Sequence, residues 1–118
     1  MHRYKNLIIW QKSRELVKNA YQITNSFPKA EVFGLTSQIR RSAVSIPANI
    51  AEGCGRNTNS DLNRFLDIAE GSAFELETLI ILSTDLNMIN EDSSVVFLSK
   101  IDEVQRMIFS FKKQLVTS

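Results

Sequence analysis

The stretch that decides the fold is SDLNRFLDIAEGSAFELETLIILSTDLN, residues 60–87. Its apolar residues recur every three or four positions, which is the spacing of one face of a helix. This apolar stripe consists of Leu62, Phe65, Leu66, Ala69, Ala73, Leu76 and Ile80. Ile68, Leu79, Leu82 and Leu86 widen it. A helix that is apolar over so wide an arc is predicted to contact two neighbouring helices.

Helical spacing also appears on both sides of this stretch, and no segment shows the alternation of a strand. The predicted helices span residues 6–24, 35–52, 60–87 and 91–115. Thr58 or Ser60 can cap the third helix, and Asn90 can cap the fourth. Apolar residues from Phe97 to Leu115 alternate in steps of four and three, a heptad pattern suited to nearly antiparallel packing. The sequence therefore predicts an all-α fold, an antiparallel up-down-up-down four-helix bundle, in a single domain of residues 1–118.

The second predicted helix contains QIRRSAVSIPANIAEGCGR, residues 38–56, with a proline inside it. Pro47 removes one backbone donor and releases the carbonyl of Ala43. Because the apolar spacing continues as far as Ile50, we expect a proline-kinked helix and not a broken one. Gly53 and Gly55 are expected to end this helix through their backbone freedom.

Polar residues form one line along this second helix. Their spacing is three or four positions, and they are Gln38, Arg41, Ser45, Asn49, Glu52 and Arg56. Two interpretations stay open, a satisfied polar ladder inside a crowded bundle and a subunit interface or pore lining, while a catalytic row is disfavoured. Glu75 lies within the apolar arc of the third helix, where a carboxylate needs a partner if it is buried. We expect Arg41 to pair with it, with Arg40 as second candidate.

Charge is unevenly distributed although the net charge is only +1. Residues 1–56 carry a net charge of +6, and residues 57–118 carry −5. The two halves can attract each other within one bundle, basic and acidic faces of different subunits can meet, or the basic half can face a polyanion. The residues expected to contact a nucleic acid or a protein partner are Lys12, Arg14, Lys18, Arg40 and Arg56.

The sequence offers few groups for chemistry. It has one histidine, His2, and one cysteine, Cys54, which do not make a metal-ligand cluster. No histidine lies near Cys54 in sequence to act as a base. We therefore predict no enzyme activity, no catalytic residue, no metal and no cofactor. The single cysteine fits a reducing cytoplasm, and no apolar run is long enough to span a bilayer or form a signal peptide, so no membrane association is predicted.

Two blocks, QIRRSAVSIPANIAEG (38–53) and AEGSAFELET (69–78), resemble the bacterial four-helix-bundle proteins linked to 23S rRNA intervening sequences. The resemblance covers nearly the whole chain and is densest at residues 35–77. It implies an antiparallel four-helix bundle that assembles into a ring-like homopentamer, and it brings no catalytic assignment. The matching motif positions are Gln38, Arg40, Arg41, Ser45, Asn49, Glu52, Gly53, Arg56, Gly71, Ser72 and Glu75.

With these motif positions, the predicted structural polar network comprises Gln38, Arg41, Ser45, Asn49, Glu52, Ser72 and Glu75. A related branch is the accessory variability protein of diversity-generating retroelements, which is thought to bind nucleic acid and a reverse transcriptase. That branch is markedly basic, whereas this chain is near neutral. Two functions remain open. One is a non-enzymatic oligomeric scaffold that binds copies of itself or another protein. The alternative is an accessory protein that binds rRNA or retroelement RNA or DNA.

Overall fold

Four long helices and two short 3₁₀ turns make up the chain in the computed structural model, which describes residues 2–116 and the backbone of residue 117. The helices are α1 (Ile8–Thr24), α2 (Leu35–Cys54), α3 (Asn59–Asp85) and α4 (Glu91–Thr117). The 3₁₀ turns are Tyr4–Asn6 and Lys29–Glu31. No strand occurs within these described residues. The predicted all-α four-helix class is confirmed.

Local hydrogen bonds set the ends of these helices. Thr58, and not Ser60, caps α3, because its hydroxyl oxygen accepts the Asp61 N–H at 3.1 Å. Asn90 caps α4 by accepting the Ser93 N–H at 2.8 Å. α3 ends two residues earlier than predicted, and Asn87 beyond its end adopts a φ of 62°. Asparagine tolerates this left-handed conformation better than most residues.

Helix α3 packs against both α2 and α4, as its wide apolar arc predicts. The hydroxyl of Thr84, near the end of α3, donates to Ser94 Oγ near the start of α4 at 2.9 Å. At the opposite end of the pair, the Lys112 ammonium of α4 contacts Asp67 and Glu70 near the start of α3. The two helices therefore run in opposite directions. The hydrogen bond to Asp67, aided by Glu70, raises the pKa of Lys112 against the opposing effect of burial.

The core uses only part of the apolar surface of α3. Every residue of the predicted stripe from Leu62 to Ile80 is buried. Of the four residues that widen the stripe, only Leu79 is buried. Ile68, Leu82 and Leu86 stay exposed in the single chain. The bundle thus leaves an apolar part of α3 uncovered.

Gly53 serves a purpose that the sequence analysis did not predict. Gly55 is the C-cap of α2, which agrees with the prediction that a glycine ends this helix, and its φ of −84° is one that other residues also adopt. Gly53 lies inside α2, where an added Cβ would meet Leu62 Cδ1 at 2.8 Å and Phe65 Cβ at 2.9 Å. Its missing side chain therefore allows α2 and α3 to approach closely. α2 continues through Pro47 without ending, and the kink at Pro47 stays a prediction.

Replacing Gly53→Ala should lower the free energy of unfolding by about 1–3 kcal/mol, because the new methyl group overpacks the α2–α3 contact. Urea unfolding followed by circular dichroism measures the change. Gly55→Ala is the matched control, since its Cβ would meet only the Glu52 carbonyl oxygen at 3.5 Å and its φ of −84° suits alanine. The control should be neutral or stabilising by up to about 1 kcal/mol. Equal effects of the two substitutions would contradict this account.

Candidate functional site

A polar cleft of about 260 Å³ lies between α2 and α3. Its lining residues are Gln38, Arg41, Ser42, Ser45, Ser72 and Glu75. Within it, the hydroxyl oxygens of Ser45 and Ser72 share a hydrogen bond of 2.7 Å between the two helices. The Asn49 side-chain amide donates to the Ser45 carbonyl at 2.8 Å and to the Ser45 hydroxyl at 3.0 Å. Three members of the predicted polar network are therefore joined by hydrogen bonds.

Arg41 and Glu75 line the same cleft but do not form an ion pair with each other. Both residues are exposed in the single chain, as is Gln38. Neither charge has an ion-pair partner among the described residues. The predicted Arg41–Glu75 pair is therefore not formed within one chain, and the cleft presents one cation and one carboxylate to whatever covers it.

The remaining pair of the polar line forms a separate cluster at the end of α2. An Arg56 guanidinium nitrogen lies 3.1 Å from Glu52 Oε1, and both side chains are largely exposed. The same guanidinium lies over the Phe65 ring, 4.7 Å from its centroid. Neither Glu52 nor Arg56 lines the cleft. The structure thus divides the predicted line into a cleft and a helix-end ion pair.

The basic residues predicted to bind a partner also divide into two groups. Lys12 and Arg56 have carboxylate partners, Glu103 at 3.5 Å in the case of Lys12. The other three, Arg14, Lys18 and Arg40, have no carboxylate partner among the described residues. These three residues all lie on α1 and α2.

Two of these residues, both arginines, lie against aromatic rings. The Arg14 guanidinium lies 4.8 Å from the centroid of the Trp10 ring. The Arg40 guanidinium lies 4.4 Å from the centroid of the Tyr21 ring, and its Nε donates to the Thr24 hydroxyl at 2.9 Å. Arg40, the second candidate partner for Glu75, is therefore held against α1. Cation–π contacts hold both arginines in defined positions.

An open groove of about 720 Å³ lies between α1 and α2. Small residues of α2, Ala48 and Ala51, form part of it, with Trp10 of α1 opposite. The charged residues that line it are Arg14, Lys18 and Glu15, which give it a net positive charge. The small side chains of these two alanines allow another helix to approach closely. The groove itself depends on the separation of two helices, which the spacing of residues along one helix does not determine.

The outward surface of α3, together with its C-cap residue Leu86, mixes polar residues with large apolar ones, whereas most surface helices expose mainly polar residues. We call it the α3 outer face and define it by its exposed apolar side chains, Ile68, Phe74, Ile81, Leu82 and Leu86, which are 44–59% exposed. Gly71 lies in the same helix, and a Cβ there would meet nothing within 4 Å. A helical glycine costs about 0.5–1 kcal/mol relative to alanine, and no contact within the chain accounts for it. Ile68, Leu82 and Leu86 belong to the apolar arc that the sequence predicts for α3. Phe74 and Ile81 were not predicted to belong to it.

Reactive and metal-binding groups are sparse in the described part of the chain. Burial raises the pKa of the Cys54 thiol, which makes it a poor nucleophile at neutral pH. Within residues 2–117, no group of three or more histidine, cysteine, aspartate or glutamate residues could hold a metal ion. None of the four helices has the length and hydropathy needed to cross a bilayer over its described residues.

Residues 5–110 match the sequence model of the 23S rRNA-intervening sequence protein family. The chain belongs to this family. Its fold is similar to the crystal structure of a protein of unknown function from the S23 ribosomal protein family of Bacteroides thetaiotaomicron VPI-5482. The two share 26% sequence identity with a TM-score of 0.80, over 90% of this chain and 99% of the other. Among curated proteins, none matches the chain significantly.

A double-mutant cycle tests the hydrogen bond across the cleft. Ser45→Ala and Ser72→Ala should show a coupling energy of about 0.5–1.5 kcal/mol in the free energy of unfolding. Either substitution removes one hydroxyl and breaks the bond, so the second substitution has no bond left to break. The control cycle pairs Ser72→Ala with Ser42→Ala, since the Ser42 hydroxyl donates to the Ile39 carbonyl of its own helix at 3.0 Å. That cycle should be additive within about 0.5 kcal/mol. Additivity in both cycles would rule out the Ser45–Ser72 bond.

Proposed function

We propose that this chain is a non-enzymatic subunit of a homo-oligomer that serves as a structural or interaction scaffold. The observation that carries the proposal is the α3 outer face, five large apolar side chains exposed on one helix. Several large apolar side chains exposed on one surface are typical of protein interaction sites. A second copy would remove it from water and stabilise the fold.

Further features support assembly. Arg41 and Glu75 lie beside the α3 outer face without ion-pair partners in the single chain, and a neighbouring copy can supply them. A closed ring of five copies is the form that the family resemblance implies, and we propose it for this chain. The burial of Cys54 supports the non-enzymatic part of the proposal. A cysteine without a disulfide partner also favours the cytoplasm as the proposed location.

If the chain assembles through the α3 outer face, its molar mass in solution should fall when that face is disrupted. The wild-type chain should elute as an oligomer when size-exclusion chromatography is combined with light scattering. Ile68→Arg/Leu82→Arg should shift it to the monomer mass of 13.4 kDa, because burying two unpaired charges opposes association. Both residues are exposed in the single chain, so the variant should keep its helical circular dichroism.

Val96→Arg is the matched control, because Val96 is an exposed apolar residue of α4 at 57% and lies outside the α3 outer face. It should keep the wild-type mass. A wild-type chain that is monomeric at micromolar concentration would contradict the proposed function. So would an oligomer that survives the double substitution unchanged.

A second candidate is a nucleic-acid-binding accessory protein, favoured by the arginines held against aromatic rings on the α1–α2 face. Arg14 on Trp10 and Arg40 on Tyr21 combine positive charge with flat π surfaces, which is the chemistry that binds single-stranded nucleic acid. Lys18 adds a further charge without an internal carboxylate partner. In an oligomer that leaves this face exposed, its repetition would strengthen weak contacts through avidity.

Single-stranded RNA binding, measured by fluorescence anisotropy over a range of salt concentrations, tests this second candidate. Arg14→Gln/Arg40→Gln should weaken binding and flatten its salt dependence by about 1.4 units in the log–log slope, the effect of losing two phosphate contacts. Lys12→Gln/Arg56→Gln removes the same charge from carboxylate-paired positions and should change binding far less. Absence of RNA and DNA binding by the wild-type chain at low salt would eliminate this candidate.

A further inference from the structure

We infer that the copies join head to tail, with the α3 outer face of one chain seated in the α1–α2 groove of the next. This inference rests on the proposed function and names the surface that the α3 outer face would meet. Two distinct surfaces of the same chain are involved. Each added copy would therefore leave one groove and one α3 outer face open until the assembly closes.

The shapes of the two surfaces are suited to each other. The groove is lined on α2 by Val44, Ala48 and Ala51, whose side chains are small or short. The α3 outer face has Gly71 among its large apolar side chains, with open space around its Cα. Small residues on both surfaces let two helices approach closely while the larger side chains fill the space beside them. This is the helix-in-groove mode of recognition.

The charges of the two surfaces are also complementary. Arg14 and Lys18 line the groove with one carboxylate, Glu15, so the groove carries a net positive charge. Neither cation forms an ion pair among the described residues. Glu75 lies on the same helical arc as Ile68 and Leu82, exposed and without a cation partner in the single chain. Docking of one surface on the other brings these opposite charges together. The same asymmetry appears in the whole sequence, with +6 over residues 1–56 and −5 over residues 57–118.

Symmetric pairing of like surfaces is disfavoured on the same grounds. An α3-to-α3 contact would bring two copies of Glu75 together, although Arg41, which lines the same cleft, offers a cation to each. A groove-to-groove contact would bring together two grooves that each carry two cations, Arg14 and Lys18, and one carboxylate, Glu15. Like net charges within an interface oppose association, which favours the heterologous contact. A heterologous contact generates a ring when its rotation closes.

A mixing experiment tests this arrangement. The first variant, Ile68→Arg/Leu82→Arg, disrupts the α3 outer face, and the second, Val44→Arg/Ala48→Arg, disrupts the groove. Each variant alone should be monomeric. An equimolar mixture should form a 1:1 complex of twice the 13.4 kDa chain mass and grow no further, because only one good groove and one good α3 outer face remain. Native mass spectrometry with one variant isotopically labelled identifies the complex.

The only tryptophan provides a second measurement on the unmodified protein, since Trp10 lines the groove. Assembly should cover it, so acrylamide quenching of its fluorescence should rise at least twofold when the wild-type chain is diluted to monomers.

Charge variants provide a third measurement with little effect on folding. Arg14→Glu/Lys18→Glu and Glu75→Lys should each weaken wild-type assembly at least tenfold, and their mixture should associate more tightly than either variant alone.

Failure of the inference is distinguishable from failure of the proposed function. A monomeric wild-type chain would overturn both. An oligomeric wild type whose groove variant stays oligomeric would overturn the inference alone. An oligomer whose two monomeric variants do not associate on mixing, or whose Trp10 quenching is unchanged by assembly, would also overturn the inference and leave self-assembly intact.

Discussion

Helix α3 carries apolar side chains around more of its circumference than α2 and α4 can cover, and the rest of the structure depends on this constraint. The inner half of α3, from Leu62 to Ile80, supplies a large part of the core. The outer half presents Ile68 and Leu82 to water in the single chain. Exposed apolar area of this kind is stabilised only when another surface covers it. The proposed assembly follows from this uncovered half of one helix.

Close packing of α2 on α3 determines where the polar residues lie. Gly53 allows the two helices to approach at one end of their contact, and the Ser45–Ser72 hydrogen bond joins them further along. Where the two helices are this close, the Ser45 and Ser72 hydroxyls form a hydrogen bond with each other. The longer side chains of Arg41 and Glu75 extend to the rim of the cleft. A polar contact between helices thus lies beside charged groups that lack a partner. Both features are suited to a structural role and to association.

Helical periodicity alone predicted the four helices and the core residues of α3, because burial repeats with the turn of the helix. Caps at Thr58 and Asn90 were also predictable, because each cap bonds a backbone N–H only three residues away in the sequence. The function of Gly53 was mispredicted, since the close approach of Leu62 and Phe65 involves residues of another helix. The α1–α2 groove was also missed because its width is a property of packing between helices. Motif resemblance predicted the family, which the match over residues 5–110 confirms.

The central claim is that a second copy of the chain covers the α3 outer face. Small-angle X-ray scattering on the wild-type protein tests it most directly, because scattering reports particle size without labels or substitutions. One chain has a radius of gyration of 14.7 Å. The account predicts a value at least about 1.3 times larger, the increase expected when a compact protein doubles its number of residues. A concentration-independent value near 14.7 Å would contradict it.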